Sequence, residues 1–376
     1  MTRIYLVRHA QSDGNLYRRI LGWYDGHLTP SGRKQTEALK DRFLDLSVDA
    51  VYSSDLSRAR ETAQAVALPK GLEVLPEPAL REVHIGEFTN IPYGDLLYHH
   101  PDLYEAFFSY SPLWAPRGGE TFQQAADRIA PAFFRIARRH SGKTVALFSH
   151  GMVIHCLQAA LRGEHPGRFT QVSLGENTAV SCYQLQEDRL EVLFENDVSH
   201  LPPSLTAAGL RKGRESAPTV WFRAMDLESE AEIQFYLSAR QDAWEALHGS
   251  LRGFDGPGFL GEAREQLQWD RHALQQVMLR GRGIGLLQLA TLQGAGEGVG
   301  HIPFLYLRPD YRGRGIAPQL LGQAVSVYQP MGRKCLRLLC DPGNQNAQRF
   351  YHRCGFVKKG EAPGALGSLD LLEMSL

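Results

Sequence analysis

The sequence predicts two α/β domains joined by a polar linker, and three observations predict it. The chain is long, short apolar runs alternate with amphipathic stretches, and one basic break containing proline and glycine interrupts it past the middle. At 376 residues, 43% hydrophobic and 22% charged, the composition is that of a folded globular protein, and the length exceeds what one ordinary core supports.

In the first half, residues 4–7, 50–52 and 144–148 are apolar runs, and each is followed by an amphipathic stretch, at 31–44, 55–67 and 152–161. That alternation predicts a mainly parallel sheet covered by helices. Between 91 and 117 the rhythm breaks into Tyr93, Tyr98, Tyr104, Phe107, Phe108, Tyr110 and Trp114. This reads as a mostly helical insertion, which either lines an apolar pocket or packs as a cap. The segment Leu201-Pro202-Pro203-Ser204, then Ala207-Ala208-Gly209 and Arg211-Lys212-Gly213-Arg214, has linker composition. The expected division is therefore a domain over 1–200, a linker over 201–217 and a second domain over 218–376. Beyond the linker, a strand at 219–224, a long helical stretch and strands at 284–292 and 302–307 predict a second α/β unit. Gly294, Gly296 and Gly298 lead into a strand rather than a helix, so they predict a hairpin turn and not a dinucleotide loop.

Lys plus Arg and Asp plus Glu number 41 each, which gives no global attraction to nucleic acid or to an anionic membrane. Any anion site is local. The apolar run at the N-terminus is too short for a signal-peptide core and no later stretch is long enough to span a bilayer, so a cytoplasmic location is expected. Cys156, Cys182, Cys335, Cys340 and Cys354 are odd in number and lack Cys-x-x-Cys spacing, as expected of reduced thiols. The sequence leaves the oligomeric state open.

Arg8 and His9 end the first strand, where Ala10-Gln11-Ser12-Asp13-Gly14 supplies a turn that lets neighbouring side chains share one site. Arg58 opens the helix after Val51-Tyr52-Ser53-Ser54, and His150 follows the run at 144–148. Two arginines and two histidines at strand carboxyl ends form a cradle for a phosphoryl group, because guanidinium forks match phosphate oxygens and imidazole can attack or donate. Such a cradle requires no metal.

These motifs resemble the histidine phosphatase superfamily, the phosphoglycerate-mutase-like fold, a three-layer arrangement with a mainly parallel sheet. The resemblance rests on Leu6-Val7-Arg8-His9-Ala10-Gln11-Ser12 with Asn15, on Leu28-Thr29-Pro30-Ser31-Gly32, and on the stretch from Ser54 through Arg58 to Ala63. It continues in Leu80-Arg81-Glu82-Val83-His84-Ile85-Gly86-Glu87-Phe88 and in Phe148-Ser149-His150-Gly151. It implies attack by His9 on phosphorus, stabilisation by Arg8, Arg58 and His150, and proton transfer by Glu82, with Asn15 and the backbone near Gly22 holding a small phosphate ester. Leu21, His27 and Thr89-Asn90 depart from the family pattern near the expected substrate mouth. His84, His99 and His100 read as surface or packing residues.

In the second domain, Arg312-Gly313-Arg314-Gly315-Ile316-Ala317 joins a strand to an apolar helical stretch, an arrangement suited to anions. With the stretch from Asn344 through Tyr351 to Gly355-Phe356, it resembles GNAT-type N-acetyltransferases, which implies an α/β domain with a mixed sheet. The resemblance implies that residues 313–317, with Arg312 and Asn344, hold acetyl-coenzyme A. It further implies that the strand at Leu305 and Leu307 receives the pantetheine arm, and that Tyr351 protonates the departing thiolate towards an amine acceptor. The reading is a fused phosphatase and acetyltransferase. Two alternatives stand beside it: a phosphoglycerate-type mutase, and a phosphatase whose second domain only senses acyl-coenzyme A.

Overall fold

A computed structural model describes residues 1–376 except Val172, 212–216 and Leu366. Most of the basic stretch read as a linker, Lys212-Gly213-Arg214, thus lies outside the described residues. The chain divides into two compact units, Met1–Ile91 with Leu96–Glu215 and Pro92–Asp95 with Ser216–Leu376.

The first unit holds a six-stranded sheet in the order Val74–Pro76, Ala50–Ser53, Thr144–Ser149, Thr2–Arg8, Val180–Gln186, Arg189–Asp197. Three neighbouring pairs are parallel, and the last two strands form an antiparallel hairpin. The central strands are apolar on both faces, Ile4, Leu6, Val7 and Val145 to Phe148 being at most 1% exposed, because helices cover the sheet on either side. The antiparallel hairpin was not legible in the sequence. It brings the start of Val180–Gln186 beside the carboxyl end of Thr2–Arg8, with Val7 opposite Val180.

Part of the aromatic insertion packs inward, Phe107 and Trp114 being buried while Tyr98 and Phe108 are exposed. Trp114 is fully buried, with ring centroids of Phe107, Phe88 and Phe122 at 4.7, 5.8 and 6.2 Å. Trp114→Ala is expected to destabilise this unit by about 3–5 kcal/mol through loss of that burial and the cavity left behind. The shift of its unfolding transition in urea measures the effect.

The second unit is built on a seven-stranded sheet in the order Val357–Pro363, Ser368–Ser375, Cys335–Cys340, Val299–Leu307, Arg282–Ala290, Leu274–Leu279, Trp221–Ala224. Among the described residues of this sheet, only Val299–Leu307 and Cys335–Cys340 run parallel, in register at Val299 with Cys335, Gly300 with Leu336 and His301 with Arg337. Past His301 the two strands part. Gly294 and Gly298, at φ 71° and 69°, sit in the antiparallel turn between Arg282–Ala290 and Val299–Leu307.

The stretch read as one long helical region contains the helices Glu230–His248 and Gly256–Trp269 and then the strand Leu274–Leu279. Gln275 and Gln276 disguise that strand. They are buried, Gln275 bonding to the His272 carbonyl and Gln323, and Gln276 to Arg223. All five cysteines are free thiols. Among the described residues, no group of three His, Cys, Asp or Glu side chains is arranged to hold a metal, and no helix is long and apolar enough to cross a membrane.

Candidate active site

Thr2–Arg8 ends at Arg8, and the next residue, His9, turns inward to 4% exposure. Its Nδ1 lies 2.7 Å from the Ala10 carbonyl. A carbonyl only accepts, so Nδ1 carries the proton and Nε2 the lone pair. Burial, then Arg58 and Arg8, hold the His9 pKa well below the ordinary imidazole value.

His150 is fully buried, with its ring centroid 5.1 Å from that of His9. Its Nε2 lies 2.8 Å from Ser54 Oγ, while Nδ1 has no partner among the described residues. Burial, Arg58 and His9 lower its pKa as well. His150 is the N-cap of the helix Gly151–Ala160. Arg8 lies over that helix start, since a Cβ at Gly151 would stand 3.0 Å from Arg8 Cζ.

Arg58, in the first turn of Ser57–Ala67, is 2% exposed. Its Nη1 and Nη2 each donate at 2.8 Å, to the carbonyls of Tyr24 and Gly22. Gly22, at φ 54°, therefore acts on the site through its carbonyl. Burial lowers the Arg58 pKa, while Glu82, Asp13 and Asp25 push it up.

Glu82 is half-buried. Its Oε1 accepts from the amides of Val83 and Val153, both at 2.9 Å, and Oε2 from that of Met152 at 3.3 Å. The carboxylate thus sits at the positive end of the helix that His150 caps. Asn15 Oδ1 accepts from the Ser12 amide and from Asn177 Nδ2, at 3.0 and 3.1 Å.

Some residues at this site were not singled out in the sequence. Asn177 Nδ2 also donates to the His9 carbonyl at 3.0 Å. The Thr178 amide reaches the carbonyls of Arg8 and His9, and Thr178 takes a positive φ of 61° that a β-branched residue rarely adopts. His200 holds Thr178 from behind. Arg42 donates to His200 Nδ1 at 3.2 Å, so the Nε2 proton goes to Thr178 Oγ1 at 3.1 Å, and burial keeps this imidazole neutral with its pKa lowered to about 4. Trp23 lies between Arg81, 4.7 Å from its ring centroid, and His84 at 4.4 Å, and donates to the Glu82 carbonyl at 2.6 Å. His84, read as a surface or packing residue, thus packs at a tilt of 52° against Trp23.

In the second unit, Gly313 and Gly315 adopt φ of 73° and 76° just ahead of the helix Ala317–Tyr328. A Cβ at Gly315 would also stand 3.1 Å from that of Ala217. Arg312 Nε donates to the Leu307 carbonyl at 2.7 Å and Nη2 to Asp242 at 2.6 Å. Arg314 stacks on Tyr311, and Ile316 is buried at the helix cap. Leu305 and Leu307 lie on the part of Val299–Leu307 that has left Cys335–Cys340. The Asn344 side chain accepts from the Ala347 amide and so caps Gln345–Arg353. Tyr351, on that helix, packs against Phe350 and Phe356, and burial followed by Cys340 and Cys354 raises its phenol pKa.

The model of the histidine phosphatase superfamily (branch 1) matches residues 4–198, and that of the acetyltransferase (GNAT) family matches residues 233–356. Phosphoglycerate mutase-like protein 4 of Arabidopsis thaliana is 36% identical over 202 residues, which is 53% of this chain and 86% of that protein. Metal-independent phosphoserine phosphatase of the same organism is 35% identical over 210 residues, 54% of this chain and 84% of that protein. Among solved structures, Bacillus stearothermophilus YhfR matches with a TM-score of 0.52 at 30% identity, over 53% of this chain and 99% of its own. With Arg8 and the buried His9 at the end of the central strand and a family match over more than half its length, the chain belongs to the histidine phosphatase superfamily (branch 1), with a GNAT acetyltransferase domain in the same polypeptide.

Proposed function

We propose that residues 1–200 hydrolyse phosphomonoesters through a phosphohistidine on His9, and that residues 218–376 transfer acetyl groups from acetyl-coenzyme A to an amine. The observation that carries the first part is the Nδ1 bond to Ala10, which leaves the buried Nε2 lone pair as nucleophile. Nε2 attacks phosphorus in line as the ester P–O bond breaks, and Glu82 passes its proton to the leaving oxygen. Glu82 then takes a proton from the water that attacks phosphorus, the N–P bond breaks, inorganic phosphate leaves and His9 is restored. Arg8, Arg58 and the unpartnered Nδ1 side of His150 stabilise the three equatorial oxygens. The oxygen of Asn15 is committed to Ser12 and Asn177, so its amide nitrogen is the end that reaches substrate.

The similarity to the Arabidopsis phosphoserine phosphatase supports a small phosphorylated hydroxy acid as substrate. A panel containing phosphoserine, sugar phosphates and 3-phosphoglycerate tests this. Release of inorganic phosphate is expected, and isomerised phosphoglycerate without net release would establish a mutase instead.

Acetyl-coenzyme A supplies an activated thioester. The parted strands beyond His301, the two left-handed glycines and the following 12-residue helix are a fit for its pantetheine arm and pyrophosphate. The amides of residues 313–317 hold the pyrophosphate, flanked by Arg312 and Arg314. Leu305 and Leu307 offer backbone to the pantetheine arm, and Asn344 sets the helix that carries Tyr351. Tyr351 is the group that protonates the departing thiolate; burial keeps its phenol protonated until then.

Gly315→Val introduces a β-branched side chain at φ 76° and is expected to weaken acetyl-coenzyme A binding at least about tenfold, while phosphatase turnover is retained. Calorimetric titration of the full chain beside a phosphatase assay reads both effects. Wild type that binds no acetyl-coenzyme A would overturn the assignment, and binding without transfer to any amine would make the domain a sensor.

A further inference from the structure

Among the described residues, one buried cation of the second unit has only neutral partners. Arg240, on Glu230–His248, is 9% exposed. Its Nε donates to the Tyr236 hydroxyl at 3.0 Å and its Nη2 to Gln288 Oε1. Gln288 is itself fully buried, and its amide nitrogen donates to Gln266 Oε1 at 2.9 Å, which turns its oxygen towards the guanidinium. The guanidinium carbon lies 4.0, 4.6 and 5.4 Å from the ring centroids of Phe304, Phe259 and Tyr236.

Among the described residues no ion pair includes Arg240. The acid two residues along the same helix, Asp242, is paired with Arg312 at 2.6 Å and bonded by the Tyr306 hydroxyl. A guanidinium is permanently charged, and taking it out of water with no anion is costly. Ring faces return only part of that cost. Both N–H groups of Nη1 and one of Nη2 remain, in the planar fork that matches the two oxygens of a carboxylate.

The location gives this fork a use. Phe304 adjoins Leu305, on the strand that parts from Cys335–Cys340. We propose that Arg240 binds the carboxylate of the acetyl acceptor, which is therefore an amino acid or another small amine bearing one carboxylate. The inference rests on the acetyl-transfer reading of the second domain. A monoanion matches the one charge of the Arg240 guanidinium, because Arg312 is already paired with Asp242.

The test uses the full chain with acetyl-coenzyme A and pairs of acceptors, each L-amino acid beside its own carboxamide, with release of free coenzyme A thiol as the readout. For the accepted amino acid, kcat/KM is expected to exceed that of its carboxamide at least about tenfold. Arg240→Gln should bring the ratio near one, with the affinity for acetyl-coenzyme A unchanged in calorimetry, and Arg240→Lys should restore part of the preference. Equal use of both members of each pair by wild type, or a ratio that survives Arg240→Gln, overturns the proposal. A second arm needs neither turnover nor a variant. N-acetyl-L-amino acids and their amides are titrated into wild type holding coenzyme A, and tighter binding of an acid is expected. Equal binding of acids and amides refutes the role of Arg240 even if no amine is acetylated, whereas failure to bind acetyl-coenzyme A at all refutes the underlying reading.

Discussion

Replacing His9 with alanine is expected to lower phosphatase turnover by roughly 10⁴-fold or more while leaving the chain folded. The remaining ligands of the phosphoryl group, Arg8, Arg58 and His150, are held by contacts that do not pass through the His9 ring: Gly175 for Arg8, Tyr24 and Gly22 for Arg58, and Ser54 for His150. Phosphate should therefore still bind, but no lone pair is left to attack it. The structural cost is one unsatisfied carbonyl at Ala10, about 1–3 kcal/mol, which circular dichroism and a melting curve can bound. Brief incubation of wild type with substrate, followed by peptide mapping of acid-labile phosphate, should put the label on His9. Label on a serine or aspartate would sink the mechanism. Because burial and the two arginines hold the His9 pKa well below its ordinary value, the nucleophile is neutral throughout the neutral range. As pH falls through about 6.5, kcat/KM is expected to show no loss attributable to protonation of this imidazole.

What the sequence revealed of this site follows from how the sheet is built. Arg8, His9, Arg58 and His150 were legible because each sits where an apolar strand run stops, and parallel strands expose such ends along one edge. Asn177, Thr178 and His200 were not, because they precede or follow antiparallel strands. Strand direction is not written in periodicity, so a polar turn ahead of Val180–Gln186 carries no sign that it lies beside His9. The signal that could have found Asn177 is local, an Asn-Thr pair immediately before a strand of mostly buried residues. Arg240 was hidden for a related reason. On a helix with little amphipathic contrast, an arginine reads as solvated until the sheet opposite places Phe304 and Gln288 against it. The loop from Arg312 to Ala317 was legible because glycines at single-residue spacing before a helix are hard to explain as packing.

Glu82→Gln is expected to separate proton transfer from binding. Oε1 of Glu82 takes two amide hydrogens and Oε2 a single longer one, so Oε2 is the oxygen with a lone pair left to carry a proton. Glutamine has the same shape and can keep an oxygen towards Val83 and Val153, with only the bond from Met152 lost, so the helix start and His150 should hold their positions. The amide nitrogen that replaces Oε2 cannot deliver a proton to a leaving oxygen. An alkyl leaving group such as that of phosphoserine departs poorly as an alkoxide, and its hydrolysis should slow by about 10²–10³-fold in kcat. p-Nitrophenolate leaves without help, so p-nitrophenyl phosphate should lose less than about tenfold in kcat/KM, which reads the phosphorylation step. With that activated ester the phosphohistidine still needs water to attack it, and Glu82 is the base for that step. Phosphohistidine should therefore accumulate in the variant, visible as a burst of p-nitrophenolate ahead of slower turnover. Equal losses on the two substrates, with no burst, would mean that the carboxylate does no more than cap the helix that carries His150.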